Sequence, residues 1–162
     1  MILGLSIPTF TLLHVIISLV GIASGFVVLF GLWNDRKLPG VTALFLITTI
    51  LTSATGFMFH SVQFGPPHVV GLISLVMLAI ALLALYGKRL SGSWRWIYVV
   101  TALISLYFNV FVGVVQAFQK LPFLHVYAPT GTEAPFAVAQ GLVLLLFAVF
   151  TVFALRRFHP VR

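Results

Sequence analysis

Hydrophobic residues along this chain form five long runs that short polar segments separate. A helix needs about 20 apolar residues to cross the hydrocarbon core of a bilayer, and each run is close to that length or longer. Strands of a membrane barrel would be shorter and would alternate in polarity. The pattern therefore predicts an all-α integral membrane bundle of five transmembrane helices, in a single domain covering residues 1–162. The runs cover approximately residues 8–33, 41–64, 68–86, 94–118 and 135–155.

Basic residues are distributed unevenly over the predicted connections. With five spans, the first and third connections and the C-terminal tail share one side of the membrane. That side carries eight of the nine Lys and Arg residues, and Lys120 alone lies on the other side. Because basic loops stay in the cytoplasm, the sequence predicts an outside N-terminus and a cytoplasmic C-terminus. Near the basic ends lie the aromatic residues of a membrane interface, Trp33, Trp94, Trp96 and Tyr98.

The composition supports a membrane protein and limits its chemistry. Hydrophobic residues make up 61% of the chain and charged residues 7%, whereas soluble domains have about 45–50% apolar and about 25% charged residues. The net charge of +7 comes from short clusters, which indicates anionic membrane lipids as partners and no nucleic acid. The absence of cysteine excludes disulfides, thiolate metal ligands and cysteine nucleophiles. Since Arg36 is the first basic residue, the first run is predicted to be a retained span rather than a secretory signal.

Small residues form a stripe on the first predicted span. Gly21 and Gly25 have the GxxxG spacing, and their face continues through Ser18 to His14. Glycines at this spacing let two membrane helices approach closely. The Gly21/Gly25 face is therefore a candidate contact with a second copy of the chain or with a membrane complex, in addition to packing within the bundle.

Polar residues also form stripes on the other predicted spans. They are typical of helix packing, but amides inside lipid are costly unless they are paired. On the second span, Thr49, Thr52, Ser53 and Gly56 share a face with His60. On the fourth span, Ser105, Asn109, Gly113 and Gln116 recur every three or four residues, and Gln140 lies near the outer end of the fifth. The stripes predict an outer-leaflet pocket formed by His14, His60, Asn109, Gln116 and Gln140.

The predicted topology gathers four of the five histidines and one carboxylate near the outer leaflet. Imidazoles beside a carboxylate can bind a transition metal, two imidazoles can ligate a haem iron, and histidines can relay protons. The spacing selects none of these, and an interfacial position for His68 and His125 is a simpler interpretation. Glu133 precedes the fifth span, where an acid complements the helix dipole. The candidate metal ligands are His14, His60, His68, His125 and Glu133.

The long outer connection between the fourth and fifth spans is too apolar for a fully solvated loop. Its first part, residues 121–127, contains Phe123 and Tyr127 among aliphatic residues. We expect this segment to lie along the outer interface and to cover the ends of the helices.

Four stretches of the chain carry a resemblance to known proteins. They are Thr-Ala-Leu-Phe-Leu-Ile-Thr-Thr (42–49), Ser-Trp-Arg-Trp-Ile-Tyr-Val-Val (93–100), Tyr-Phe-Asn-Val-Phe (107–111) with Val-Gln-Ala-Phe (115–118), and Ala-Pro-Thr (128–130) through Glu-Ala-Pro-Phe (133–136). Together they resemble a family of small bacterial inner-membrane proteins that cross the membrane several times and have no known activity. The resemblance covers most of the chain. It implies a bacterial inner-membrane location and implies no activity, cofactor or catalytic residue.

Three functions fit these patterns. The first is a binding or redox module whose outer pocket holds a metal, haem, quinone or small lipophilic ligand. The second is a structural or accessory subunit of a membrane complex, held together by the polar stripes. The third is a small transporter or proton pathway, which the lack of ionisable residues in the cytoplasmic halves of the spans disfavours. No hydrolase motif is present, and the sequence does not decide whether the protein is an enzyme.

Overall fold

A computed structural model describes residues 1–59 and 63–160 of the chain. This part of the chain forms six α-helices, and one turn of π-helix (Leu83–Gly87) extends the third. Five of the helices are long and apolar enough to cross a membrane, which confirms the prediction of an all-α membrane protein. The helices are α1 (Ile7–Trp33), α2 (Pro39–Gly56), α3 (Pro66–Leu82), α4 (Trp94–Lys120), α5 (Pro122–His125) and α6 (Ala134–Arg157).

Proline and a capping serine explain where several helices begin. Five helices have a proline at their first or second position, where the missing N–H would have had no partner within the helix. At the start of α1, Ser6 is the N-cap, and its Oγ accepts a hydrogen bond from the Thr9 amide at 3.3 Å. Each of these prolines thus removes an amide that would lack a partner at the start of its helix.

The second helix is shorter than the hydrophobic run that predicts it. The run extends to residue 64, but α2 ends at Gly56, and its last carbonyls accept from the amides of Phe57 and Met58 in turns. Glycine costs about 1 kcal/mol relative to alanine in a helix, and two prolines follow at 66 and 67. The hydrophobic run thus continues to residue 64, although α2 ends at Gly56. His60, a predicted site residue, lies outside the described residues.

The helix α4 is the centre of the bundle. It contacts α1, α2, α3 and α6, while α3, α2, α1 and α6 follow one another in an arc around it. The buried apolar core lies in one half of the bundle, near the ends that carry Trp33, Trp94 and Arg157. We call this end the basic end. The opposite end, formed by residues 1–6, 57–59, 63–65 and 121–133, we call the histidine end.

Hydrogen bonds tie the C-terminus of α6 to the other elements at the basic end. Arg95, in the first turn of α4, donates from Nη1 to the carbonyl oxygens of Leu155 and Phe158. The amide of His159 donates to Asp35 Oδ1 at 2.7 Å. The bonds from Arg95 satisfy carbonyls that the end of a helix leaves without partners, and all three bonds close the basic end of the bundle.

The histidine end is packed more loosely. In α1, Phe10 is the one buried residue before Gly21. The short helix α5 contacts α4 and no other helix of the described residues, and Phe123 and Tyr127 are 65% and 63% exposed. This segment therefore presents apolar side chains outward, as expected at a membrane interface, and does not extend across the ends of the other helices.

Candidate functional site

Three polar side chains converge on Gly21, where α1, α2 and α4 meet. A Cβ atom added to Gly21 would lie 3.0 Å from Asn109 Nδ2, 3.2 Å from Thr48 Oγ1 and 3.3 Å from Thr49 Oγ1. The three polar atoms therefore surround one point on the surface of α1. A side chain at this position would press on the polar groups, which would have to move by a few tenths of an ångström to admit even a methyl group.

Thr49 differs from the threonines that surround it on α2. Thr48 and Thr52 donate their hydroxyl protons to carbonyls one turn earlier on the helix, at 2.7 and 2.8 Å. Such bonds satisfy a hydroxyl without any other partner. Thr49 is 1% exposed, and among the described residues its Oγ1 has no hydrogen-bond partner. Its hydroxyl is turned toward Gly21 and remains free to donate and to accept.

Asn109 brings a second unpaired polar group to the same place. The residue is 8% exposed, and its Nδ2 has no hydrogen-bond partner within the described part of the chain. A buried donor without a partner costs about 1–3 kcal/mol, and the hydrocarbon core of a bilayer offers no water to compensate. Within the described part of the chain, two buried polar groups beside Gly21 therefore lack a hydrogen-bond partner.

His14 lies on the same side of α1, two turns nearer the histidine end. Its Nδ1 is 2.7 Å from Thr55 Oγ1, and Thr55 Oγ1 is itself 2.6 Å from the Leu51 carbonyl, to which it donates. Because a hydroxyl has one proton, Thr55 must accept from His14, so His14 carries a proton on Nδ1. In the neutral ring, Nε2 is then a hydrogen-bond acceptor.

Aromatic rings cover His14 toward the histidine end. The Phe59 ring meets the His14 ring edge to face, with centroids 5.2 Å apart, and the same distance separates Phe59 from the buried Phe10. Phe59 is the last described residue before His60. The two phenylalanines place an apolar wall beside the imidazole. His14 is half-buried and forms the end of the polar region nearest the histidine end, which we call its mouth.

The polar region ends in apolar packing on the other side of Gly21. One turn further along α1, a Cβ on Gly25 would lie 2.5 Å from Leu106 Cδ1 and 3.0 Å from the Phe45 ring. All three residues are buried. The polar seam, which we define as His14, Thr55, Gly21, Thr49 and Asn109, is therefore closed toward the basic end. Gly21 and Gly25, predicted as a contact for another chain, pack here against helices of the same chain.

The two glutamines of the predicted pocket lie elsewhere. Gln140 Nε2 donates to the Phe111 carbonyl at 3.1 Å, which joins α6 to α4, and its buried Oε1 has no partner among the described residues. Phe111 and Asn109 are two residues apart, so they lie on different faces of α4. Gln116 is exposed near the end of α4. The structure thus brings His14 and Asn109 onto one seam and separates both glutamines from it.

The remaining predicted metal ligands make separate local contacts. His68 Nδ1 accepts from the Gly65 amide at 3.1 Å, at the start of α3. His125 is exposed on α5, and its Nδ1 is 3.3 Å from the Phe118 carbonyl oxygen. Within residues 1–59 and 63–160, no three His, Asp or Glu side chains are placed to share a metal ion.

Glu133 organises the turn before α6. Its carboxylate accepts from the hydroxyl and amide of Thr130 and from the amide of Thr132. The Thr130 hydroxyl bond is the largest cause that lowers the pKa of Glu133 from 4.5 to about 2. These bonds stabilise the turn fully above pH 4.5, and the stabilisation is lost as the pH falls through about 2. Glu133 is the N-cap residue of α6, as expected, but its side chain binds the preceding turn.

Sequence patterns identify part of this seam. Thr49 and Asn109 belong to the polar stripes, but nothing in the sequence distinguishes Thr49, whose hydroxyl is free, from Thr48, whose hydroxyl is bonded. Thr55 is the partner that the sequence analysis misses, because 41 residues separate it from His14. Pairing of small and polar faces between the first two spans is the one signal that could have suggested it.

Comparisons with known proteins assign neither a family nor a function to this chain. No protein-family model matches the chain, and no curated protein or solved structure is significantly similar to it. The resemblance to small bacterial inner-membrane proteins therefore stays a prediction.

Proposed function

We propose that this protein binds a small lipophilic carbonyl compound of the quinone class in the polar seam, within a bacterial inner membrane and with the histidine end outside. One observation carries the proposal. Thr49 Oγ1 and Asn109 Nδ2 are buried, have no partner among the described residues and face the same glycine. A ligand oxygen at this place would satisfy both groups.

The chemistry of the seam favours an acceptor oxygen on the ligand. Asn109 Nδ2 can only donate, and the Thr49 hydroxyl can donate. A carbonyl oxygen has two lone pairs and can accept from both groups at once. The surroundings are apolar, since Phe45, Leu106 and Phe10 are buried around the seam. A lipophilic molecule that carries a carbonyl matches this combination of two donors and apolar walls.

His14 offers the opposite hydrogen-bonding character at the mouth of the seam. Its Nε2 accepts in the neutral ring because Nδ1 carries the proton, which it donates to Thr55 Oγ1. His14 and Gly21 are seven residues apart on one helix, which places them about 10 Å apart along its axis. A hydroxyl on the ligand, or a water molecule at the bilayer surface, can donate to His14 while the carbonyl end reaches Asn109.

The geometry supports this ligand class over a metal or a transport pathway. Within the described residues, His14 is the only residue of the seam with a metal-binding side chain, and no group of three such side chains is present. A pathway would require the seam to continue to the basic end. It stops instead at Gly25, where the side chains of Leu106 and Phe45 fill the space.

Isosteric variants in lipid nanodiscs test the proposal. A radiolabelled benzoquinone with a ten-carbon tail is titrated, and the amount bound per protein above that taken up by empty nanodiscs is measured. Asn109→Leu and Thr49→Val each remove one donor, and we expect at least about tenfold weaker binding, since a lost hydrogen bond of this kind is worth about 1.5 kcal/mol or more. His14→Asn keeps a donor toward Thr55 but removes the Nε2 acceptor, so it should weaken binding less.

Thr151→Val is the matched control for Thr49→Val. The Thr151 hydroxyl donates to the Phe147 carbonyl at 2.7 Å on α6, away from the seam, so this variant should bind the quinone as the unmodified protein does. If Asn109→Leu and Thr49→Val are stable and bind the quinone with unchanged affinity, the seam is a packing feature and the proposal is wrong. Solvent extraction of the purified protein followed by mass spectrometry tests independently for a bound lipophilic carbonyl compound.

A further inference from the structure

A shallow depression, open to the surroundings and formed by one face of α6 alone, lies on the outer surface of this helix toward the basic end. We call it the groove. It has a volume of about 380 Å³ and is lined by Ala148, Val149, Val152, Phe153 and Arg156. The first four residues form an apolar floor, and Arg156 closes the end. The groove faces away from the bundle, because Ala148, Val152 and Arg156 are exposed. In a membrane, its apolar part lies in contact with lipid.

The positive charge at the end of this groove has little acidic compensation. Arg156 and Arg157 are both exposed in the last turn of α6, and the guanidinium of Arg157 lies 5.1 Å from the centre of the Phe153 ring. The chain has two acidic residues. Glu133 lies at the other end of α6, and Asp35 accepts from the His159 amide.

Hydrogen bonds from Arg95 also reduce the negative charge that the C-terminus of α6 would present to an anion. The carbonyls at a helix C-terminus carry partial negative charge that would repel a phosphate. Here Arg95 donates to the carbonyls of Leu155 and Phe158, which offsets that charge from the side of α4. Arg156 and Arg157 are therefore left to face the membrane surface with their positive charge available.

We propose that this groove binds an anionic phospholipid, with one acyl chain along Ala148, Val149 and Val152 and the phosphate held by Arg156 and Arg157. The dimensions agree with this occupant. From Ala148 to Arg156 the helix rises about 12 Å, and one leaflet of the hydrocarbon core is about 15 Å thick. Arginine binds phosphate through two parallel hydrogen bonds. The inference does not depend on the ligand of the polar seam.

Native mass spectrometry of the detergent-purified protein tests this site. The protein is incubated with phosphatidylglycerol or phosphatidylcholine, and the lipid molecules retained per chain are counted. We expect one phosphatidylglycerol on the unmodified protein and no comparable retention of phosphatidylcholine. Arg156→Gln removes the phosphate contact, and Ala148→Phe fills the groove without changing the charge. Each variant should reduce retention of phosphatidylglycerol at least about fivefold, which corresponds to about 1 kcal/mol.

Arg89→Gln is the matched control, because it removes one positive charge from the connection before α4 and leaves the groove intact. It should retain phosphatidylglycerol as the unmodified protein does. Equal loss in Arg89→Gln would show diffuse charge attraction and would overturn the proposal, as would full retention in Ala148→Phe or equal binding of phosphatidylcholine. Because Ala148 and Arg156 are exposed, both variants are expected to fold, and thermal unfolding checks this.

Discussion

At the scale of single residues, the polar seam depends on the missing side chain of Gly21. Helices in membranes approach closely where glycine allows it, and here the space next to the glycine is shared by polar atoms of α2 and α4. Apolar side chains at positions 49 and 109 would cost the fold little stability, because a buried polar group without a partner is itself destabilising. The presence of Thr49 and Asn109 beside Gly21 is the observation on which the proposed ligand site rests.

Replacing Gly21 with alanine tests how tightly this region is packed. The new Cβ would lie 3.0 Å from Asn109 Nδ2, so the neighbouring side chains must move, and overpacking of this kind costs about 1–3 kcal/mol. We expect Gly21→Ala to lower the thermal unfolding temperature in detergent and to weaken quinone binding. Gly141→Ala is the control, because a Cβ on Gly141 meets nothing within 4 Å. Equal stability of the two variants would contradict the packing described for Gly21.

At the scale of helices, the sequence predicts which segments are helical better than where they end. Four of the five long runs match their helices within a few residues, because length and apolarity report directly on membrane spans. The run that predicts α2 continues past Gly56, since hydropathy does not register the turn that the chain takes there. The contact between His14 and Thr55 depends on how α1 and α2 pack against each other, which a single sequence does not contain.

The contact between α4 and the end of α6 gives a prediction at this scale. Arg95 donates to two carbonyls of the last turn, and hydrogen bonds from a charged group are worth about 1.5–3 kcal/mol in total. We expect Arg95→Gln to lower stability by about 2 kcal/mol and to increase hydrogen exchange in residues 154–158. Arg89→Gln removes a charge at the same end and should leave exchange in α6 unchanged. Unchanged exchange in Arg95→Gln would show that this contact does not stabilise the helix end.

At the scale of the whole molecule, the two halves of the bundle differ in how tightly they are packed. The half at the basic end holds the continuous apolar core. It is closed by the hydrogen bond that Arg95 donates to the Phe158 carbonyl and by the one that Asp35 accepts from the His159 amide. The half at the histidine end is more exposed and contains the mouth of the polar seam. Under the proposed function, the ligand would enter through the more exposed half, while the packed half holds α1, α2 and α4 together.

The orientation of the molecule decides which leaflet the ligand enters from. Eight of nine Lys and Arg residues are predicted on one side, so the basic end should lie in the cytoplasm and the histidine end outside. Because the chain has no cysteine, single cysteines can report the topology without background labelling. Ser6 and Ser91 are exposed at opposite ends. The two variants are made in bacterial cells whose outer membrane is then permeabilised. An impermeant maleimide should label Ser6→Cys in these cells. It should label Ser91→Cys only after the inner membrane is opened. The reverse result would place the seam's mouth on the cytoplasmic side and would require a ligand that enters from the inner leaflet.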